Sequence, residues 1–104
     1  MKVKLIKNFY ETRPNFKTGK GEIGTGFSCE RIIDIPHPPT PKLSVFFKGG
    51  CELINRVEYD TDKKEYSCYA EDGRLYHENK ESVLDMYIEE YKNKGWTITS
   101  ICKV

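Results

Sequence analysis

A chain of 104 residues holds a single domain, because two shorter pieces could not each bury a core. Charged residues make up 32% and hydrophobic ones 38%, with seven Tyr, five Phe and one Trp. That is too apolar for a disordered segment, and no apolar run approaches the roughly 20 residues of a membrane-spanning helix. The net charge of +1 hides an asymmetry: residues 1–50 carry nine Lys or Arg against four Asp or Glu, residues 51–104 eight against twelve.

The first ten residues, MKVKLIKNFY, place Lys4 and Lys7 inside the apolar stretch, which argues against a secretory signal. The expectation is a soluble, cytoplasmic protein. Only in its general Lys, Ile, Tyr and Asn flavour does the composition resemble small proteins of low-GC bacteria or their phages. Val3, Leu5 and Phe9 alternate onto one face and predict a first strand. Residues 12–26, TRPNFKTGKGEIGTG, read as a long turn-rich connection. FSCERIIDI resumes a strand with Phe27, Cys29, Arg31, Ile33 and Ile35 on one parity. The prolines of 36–41 interrupt the ladder, and LSVFF and CELINRVEY follow, the latter with Cys51, Leu53, Val57 and Tyr59 inward. Lys63-Lys64 and Asp72-Gly73 mark two tight hairpin corners around EYSCYA.

After Tyr76 the period changes from two to about 3.6. Val83, Leu84, Tyr87, Ile88 and Tyr91 form one stripe, predicting a helix over about 80–94 with Asn79 or Ser82 as its cap and Gly95 as its stop. The last run places Trp96, Ile98, Cys102 and Val104 on one face of a final strand. The fold class that follows is α+β: residues 1–104 form one domain, a twisted, mainly antiparallel sheet of five to seven strands packed on one C-terminal helix.

Several motifs invite chemistry. Gly19-Lys20-Gly21-Glu22-Ile23-Gly24 matches G-x-G-x-x-G, but no core strand precedes it and no helix follows, as a dinucleotide site requires. Cys29, Cys51, Cys68 and Cys102 lack the close pairing of a zinc knuckle, and His37 and His77 stand alone. Each cysteine shares the parity of apolar neighbours, so all four are expected to be buried free thiols rather than metal ligands or nucleophiles. No catalytic residue, metal or cofactor is assigned. The P-x-x-P spacings of 36–41 read as a stiff bridge between strands.

The remaining signal lies on the opposite parity: Tyr10, Phe46 and Tyr69, joined by Ile6, Ile32 and Ile54. If these point away from the helix, they make an apolar-aromatic patch, unless the 12–26 segment covers it. Two readings use it. In the first, the chain is a non-enzymatic protein-interaction module, such as an inhibitor, immunity or accessory protein, that occludes another protein's surface. Arg13, Phe16, Lys17 and Lys20 with Phe46 and Tyr69 form its partner-binding set, cations steering and aromatics anchoring. In the second, the same residues hold nucleic acid, phosphates on the basic arm and bases on the aromatics; the pI of about 7.6 argues against it. A small enzyme is the third and weakest reading.

Overall fold

The structure is a computed structural model; it describes residues 1–15, 20–75 and 83–102, with side chains from 12 to 24 outside the description. Its elements are β1 (Lys2–Asn15), β2 (Lys20–Asp34), β3 (Ser44–Phe47), β4 (Gly50–Asp60), β5 (Glu65–Ala70), β6 (Gly73–Leu75), α1 (Leu84–Asn93) and β7 (Thr97–Cys102). The strands form one sheet in the order β3-β4-β5-β1-β2-β7, with β6 also on β1. Ladders β1–β2, β2–β7, β3–β4 and β4–β5 are antiparallel, and β1 pairs in parallel with β5 and β6. The α+β class, the dominant antiparallel pairing and the helix followed by a last strand agree with the sequence reading. No helix among the described residues is long and apolar enough to cross a membrane.

The expected connection at 12–26 is instead ladder. β1 continues to Asn15 and β2 starts at Lys20, with Arg13 opposite Glu22 and Asn15 opposite Lys20. Pairing between two long neighbours overrides the weak strand propensity of glycine. Gly21 and Gly24 of the apparent phosphate motif therefore lie in a strand. The Asp72-Gly73 corner is also corrected: β6 does not reverse but runs on in the direction of β5, along the same edge of β1. The other corner holds. Asp60 Oδ1 accepts from the Asp62 and Lys63 backbone N–H groups at 2.9 and 3.1 Å, which lowers its carboxyl pKa, and Lys64 takes φ +53°.

Parity fails wherever a bulge intervenes. The β4–β5 register shifts between Ile54 and Arg56, so Glu52 and Ile54 face the core while Cys51 and Leu53 face out. Ile54, expected on the outer face, is fully buried. A similar shift in β2–β7 turns Cys102 outward. Cys29 and Cys68 are buried as expected; Cys51 and Cys102 are exposed, contrary to expectation, because an extra residue in a strand flips every later side chain.

α1 buries Leu84 and Ile88 and packs Val83, Tyr87 and Tyr91 against the sheet, the stripe the sequence predicts. Residues 80–82, and the candidate caps Asn79 and Ser82, lie outside the described residues. At the other end Gly95 adopts φ +95°, where the Lys94, Gly95 and Trp96 N–H groups close on carbonyls of the last turn. The core lies between α1 and the sheet. Phe9 stacks on Phe27 at 4.7 Å, Tyr91 meets Phe9 edge-on at 4.7 Å, and Trp96 meets Tyr91 at 5.8 Å.

Candidate interaction surface

The face opposite α1 gathers the residues whose parity excludes them from the core. On β3, Val45 points inward and its neighbour Phe46 points out with 81% of its surface exposed. Phe46 stands opposite Cys51 in the β3–β4 ladder and diagonal to Leu53, and all three are exposed. Tyr69 lies on the same face, one strand beyond β4, opposite Arg56. The Arg56 guanidinium sits 4.2 Å from the Tyr69 ring centre, Arg56 Nε lies 3.3 Å from Glu58, and the Tyr69 hydroxyl donates to Glu58 at 3.4 Å. Tyr69 is thus half-covered by its own neighbours, whereas Phe46 is not.

The remaining predicted residues are placed only in part. Arg13 and Lys20 lie on paired backbone of β1 and β2, their side chains outside the description. Phe16 and Lys17 are outside the described residues altogether. Along the rest of the face Ile6 and Tyr10 are half-buried and Ile32 is 57% exposed. One cation among them is paired. Lys4 lies 3.2 Å from Glu65, and that hydrogen bond, with the more distant Glu30, raises the ammonium pKa.

Comparison with protein-family models, curated proteins and solved structures finds no match.

Among the described residues, two depressions interrupt the face. Where the bulge of β4 meets the break between β5 and β6, Asn8, Asn55, Arg56, Tyr69 and Asp72 line a polar notch of about 250 Å³. Where Gly26 leaves no side chain between Tyr10 and Cys102, a second hollow of about 210 Å³ opens, floored by Ser28, which donates to Asn8 at 2.6 Å.

The helix-covered face holds what sequence reasoning missed. Lys7 Nζ lies 2.7 and 2.8 Å from the two carboxylate oxygens of Glu52, with both side chains nearly buried. Arg31 stacks on Phe47 at 4.3 Å, lies 5.6 Å from Trp96, and donates to the Lys94 carbonyl at 3.2 Å. The available signal was parity: Lys7 alternates with Leu5 and Phe9, and Arg31 with Cys29 and Ile33. Burial pushes the Cys29 thiol up to about 12, only partly offset by Lys7, and raises the Tyr91 phenol to about 12 as well. A thiol held in that range is protonated at neutral pH and is a poor nucleophile. Burial raises Cys68 too. His37 is exposed, with Nδ1 2.9 Å from the Pro38 carbonyl oxygen. Among the described residues no three His, Cys, Asp or Glu side chains are grouped to hold a metal ion.

Proposed function

We propose that the chain is a small interaction protein that occludes a surface of another protein, docking through the outer side of the β3–β4 hairpin. One observation carries the reading: Phe46, 81% exposed, stands beside exposed Cys51 and Leu53 on a face where Lys4 and Arg56 are each paired with a carboxylate. A protruding aromatic with an aliphatic neighbour is the kind of anchor that fills a pocket on a partner. Lys42 and Lys48 flank β3 and are exposed, which favours a partner with an acidic rim. Arg13, Lys17 and Lys20 add steering charge within the basic half of the sequence. The pairing of Lys4 and Arg56 with carboxylates leaves those cations less available to phosphates, so protein is favoured over nucleic acid as partner.

The test is quantitative capture from the source cells with wild-type and Phe46→Asp protein side by side. The reading expects a protein that wild type retains and Phe46→Asp loses, and slower association for Arg13→Glu/Lys17→Glu, most visibly at low salt. Equal capture by both proteins would overturn it. So would tight binding of a mixed-sequence oligonucleotide with a steep log–log salt slope, which is the signature of phosphate neutralisation.

A further inference from the structure

The two edges of the sheet are built differently. β3 has four residues and follows a segment with Pro36, Pro38, Pro39 and Pro41, so little of it can accept another strand. β7 has six residues, Thr97-Ile98-Thr99-Ser100-Ile101-Cys102, with neither a charge nor a proline among them. Among the described residues it pairs only with β2. Its one irregularity, at Thr99, is tied back to β2 by the Thr99 hydroxyl, which donates to the Ser28 carbonyl at 3.2 Å. Beside it, between the edge and α1, runs an open groove of about 630 Å³ lined by Lys92, Trp96, Ile98 and Ile101 among others. Ile101 is 51% exposed. Such a strand is a template for a further strand, and the groove gives that strand's side chains a place to pack.

We infer that the occupant is a second copy of this chain, its β7 pairing antiparallel with this one about a two-fold axis to make one continuous sheet. The charge pattern of α1 points to self-pairing. Lys92 lines the groove beside β7, and Glu89, three residues earlier in α1, is its neighbour at helical spacing. A two-fold axis perpendicular to the sheet makes the two copies of α1 antiparallel. Glu89 of one copy then lies toward Lys92 of the other, so the arrangement is complementary to itself. An uncharged strand such as β7 also meets its own copy without like-charge repulsion.

Sedimentation velocity from about 1 to 200 µM tests this, because a dimer of this kind is concentration-dependent. The expected result is a shift from the 12.1 kDa monomer to twice that mass. Ile101→Lys and Ser100→Pro are expected to abolish the shift, the first by placing a charge in the groove and the second by removing a ladder N–H. Ile101 is half exposed, so its variant keeps the fold even if Ser100→Pro does not; circular dichroism checks both. Glu89→Lys and Lys92→Glu should each weaken dimerisation several-fold, and the double swap should restore it. A wild type that stays monomeric across the range would overturn the inference. So would a dimer that survives Ile101→Lys, or one that Phe46→Asp disrupts instead.

Discussion

Lys7 and Glu52, 45 residues apart in sequence, form a two-pronged ion pair at 2.7 and 2.8 Å on the helix-covered face of the sheet, their side chains 12% and 10% exposed. Lys7 also lies 5.3 Å from the Phe9 ring centre. Removing one partner leaves the other's charge where water cannot solvate it well. Glu52→Leu or Lys7→Met alone is expected to cost about 3–5 kcal/mol, while the double Lys7→Met/Glu52→Leu returns close to wild type. Urea unfolding of the four proteins gives the cycle, and additive losses would show that the pair is not coupled.

The four thiols are expected to divide two and two. Cys51 and Cys102 are exposed, whereas burial raises Cys29 to about 12 and raises Cys68 as well. A chromogenic disulfide reagent at pH 8 should therefore titrate two thiols quickly and the others only on unfolding. The same shift sets a pH dependence. In the folded state Cys29 resists ionising, so its contribution to stability is complete below the thiol's ordinary value of 9.0 and is lost as pH rises toward about 12. Tyr91, raised from 10.0 to about 12, acts in the same direction over pH 10–12. Stability measured by urea unfolding should fall between pH 9 and 11, and Cys29→Ala should flatten that fall.

What could be read in advance was what local periodicity decides. Val3, Leu5 and Phe9 alternate into the core, and Leu84 and Ile88 lead the helix stripe, because each pattern sits within one uninterrupted element. Cys51, Leu53, Ile54 and Cys102 were misplaced because the bulges that reset β4 and β7 arise from pairing with a neighbour, which a single segment does not encode. Asp72-Gly73 has turn chemistry, yet β1 offers an edge along which the chain can simply continue. For the candidate surface, parity placed Phe46 and Tyr69 on one face, but not the Arg56 and Glu58 side chains that partly cover Tyr69. Lys7 shares inward parity with Leu5 and Phe9, whereas the same alternation puts Glu52 outside with Ile54; only the folded chain shows that they meet.

Two glycines are fixed by the same residue, Phe9. A Cβ at Gly73 would fall 2.2 Å from Phe9 Cε1, and one at Gly26 would fall 2.4 Å from the Phe9 backbone oxygen. Phe9 is held between Phe27 and Tyr91 and cannot easily withdraw. Gly26→Ala and Gly73→Ala are each expected to cost about 1–3 kcal/mol through overpacking, Gly26 the more because the obstacle is backbone. Gly50→Ala is the control, since its nearest neighbour would be Phe47 Cε2 at 3.4 Å, an ordinary contact. Thermal melts of the three variants rank them, and a Gly50→Ala loss as large as the others would refute the steric account.

Phe46 and Ile54 separate a residue kept for contact from one kept for folding. Phe46 is 81% exposed on the outer side of β3; Ile54, on β4, is fully buried, and its N–H donates to the Leu43 carbonyl at 2.9 Å. Ile54→Ala should cost about 2–5 kcal/mol, because lost burial and a residual cavity add. Phe46→Ser should change stability by no more than about 0.5 kcal/mol, since little of the ring leaves water on folding. Urea unfolding of both variants decides the matter. A large loss from Phe46→Ser would mean that the ring is covered in solution, by another part of the chain or by a second molecule, and the anchor assigned to the β3–β4 hairpin would then belong to the fold rather than to a partner.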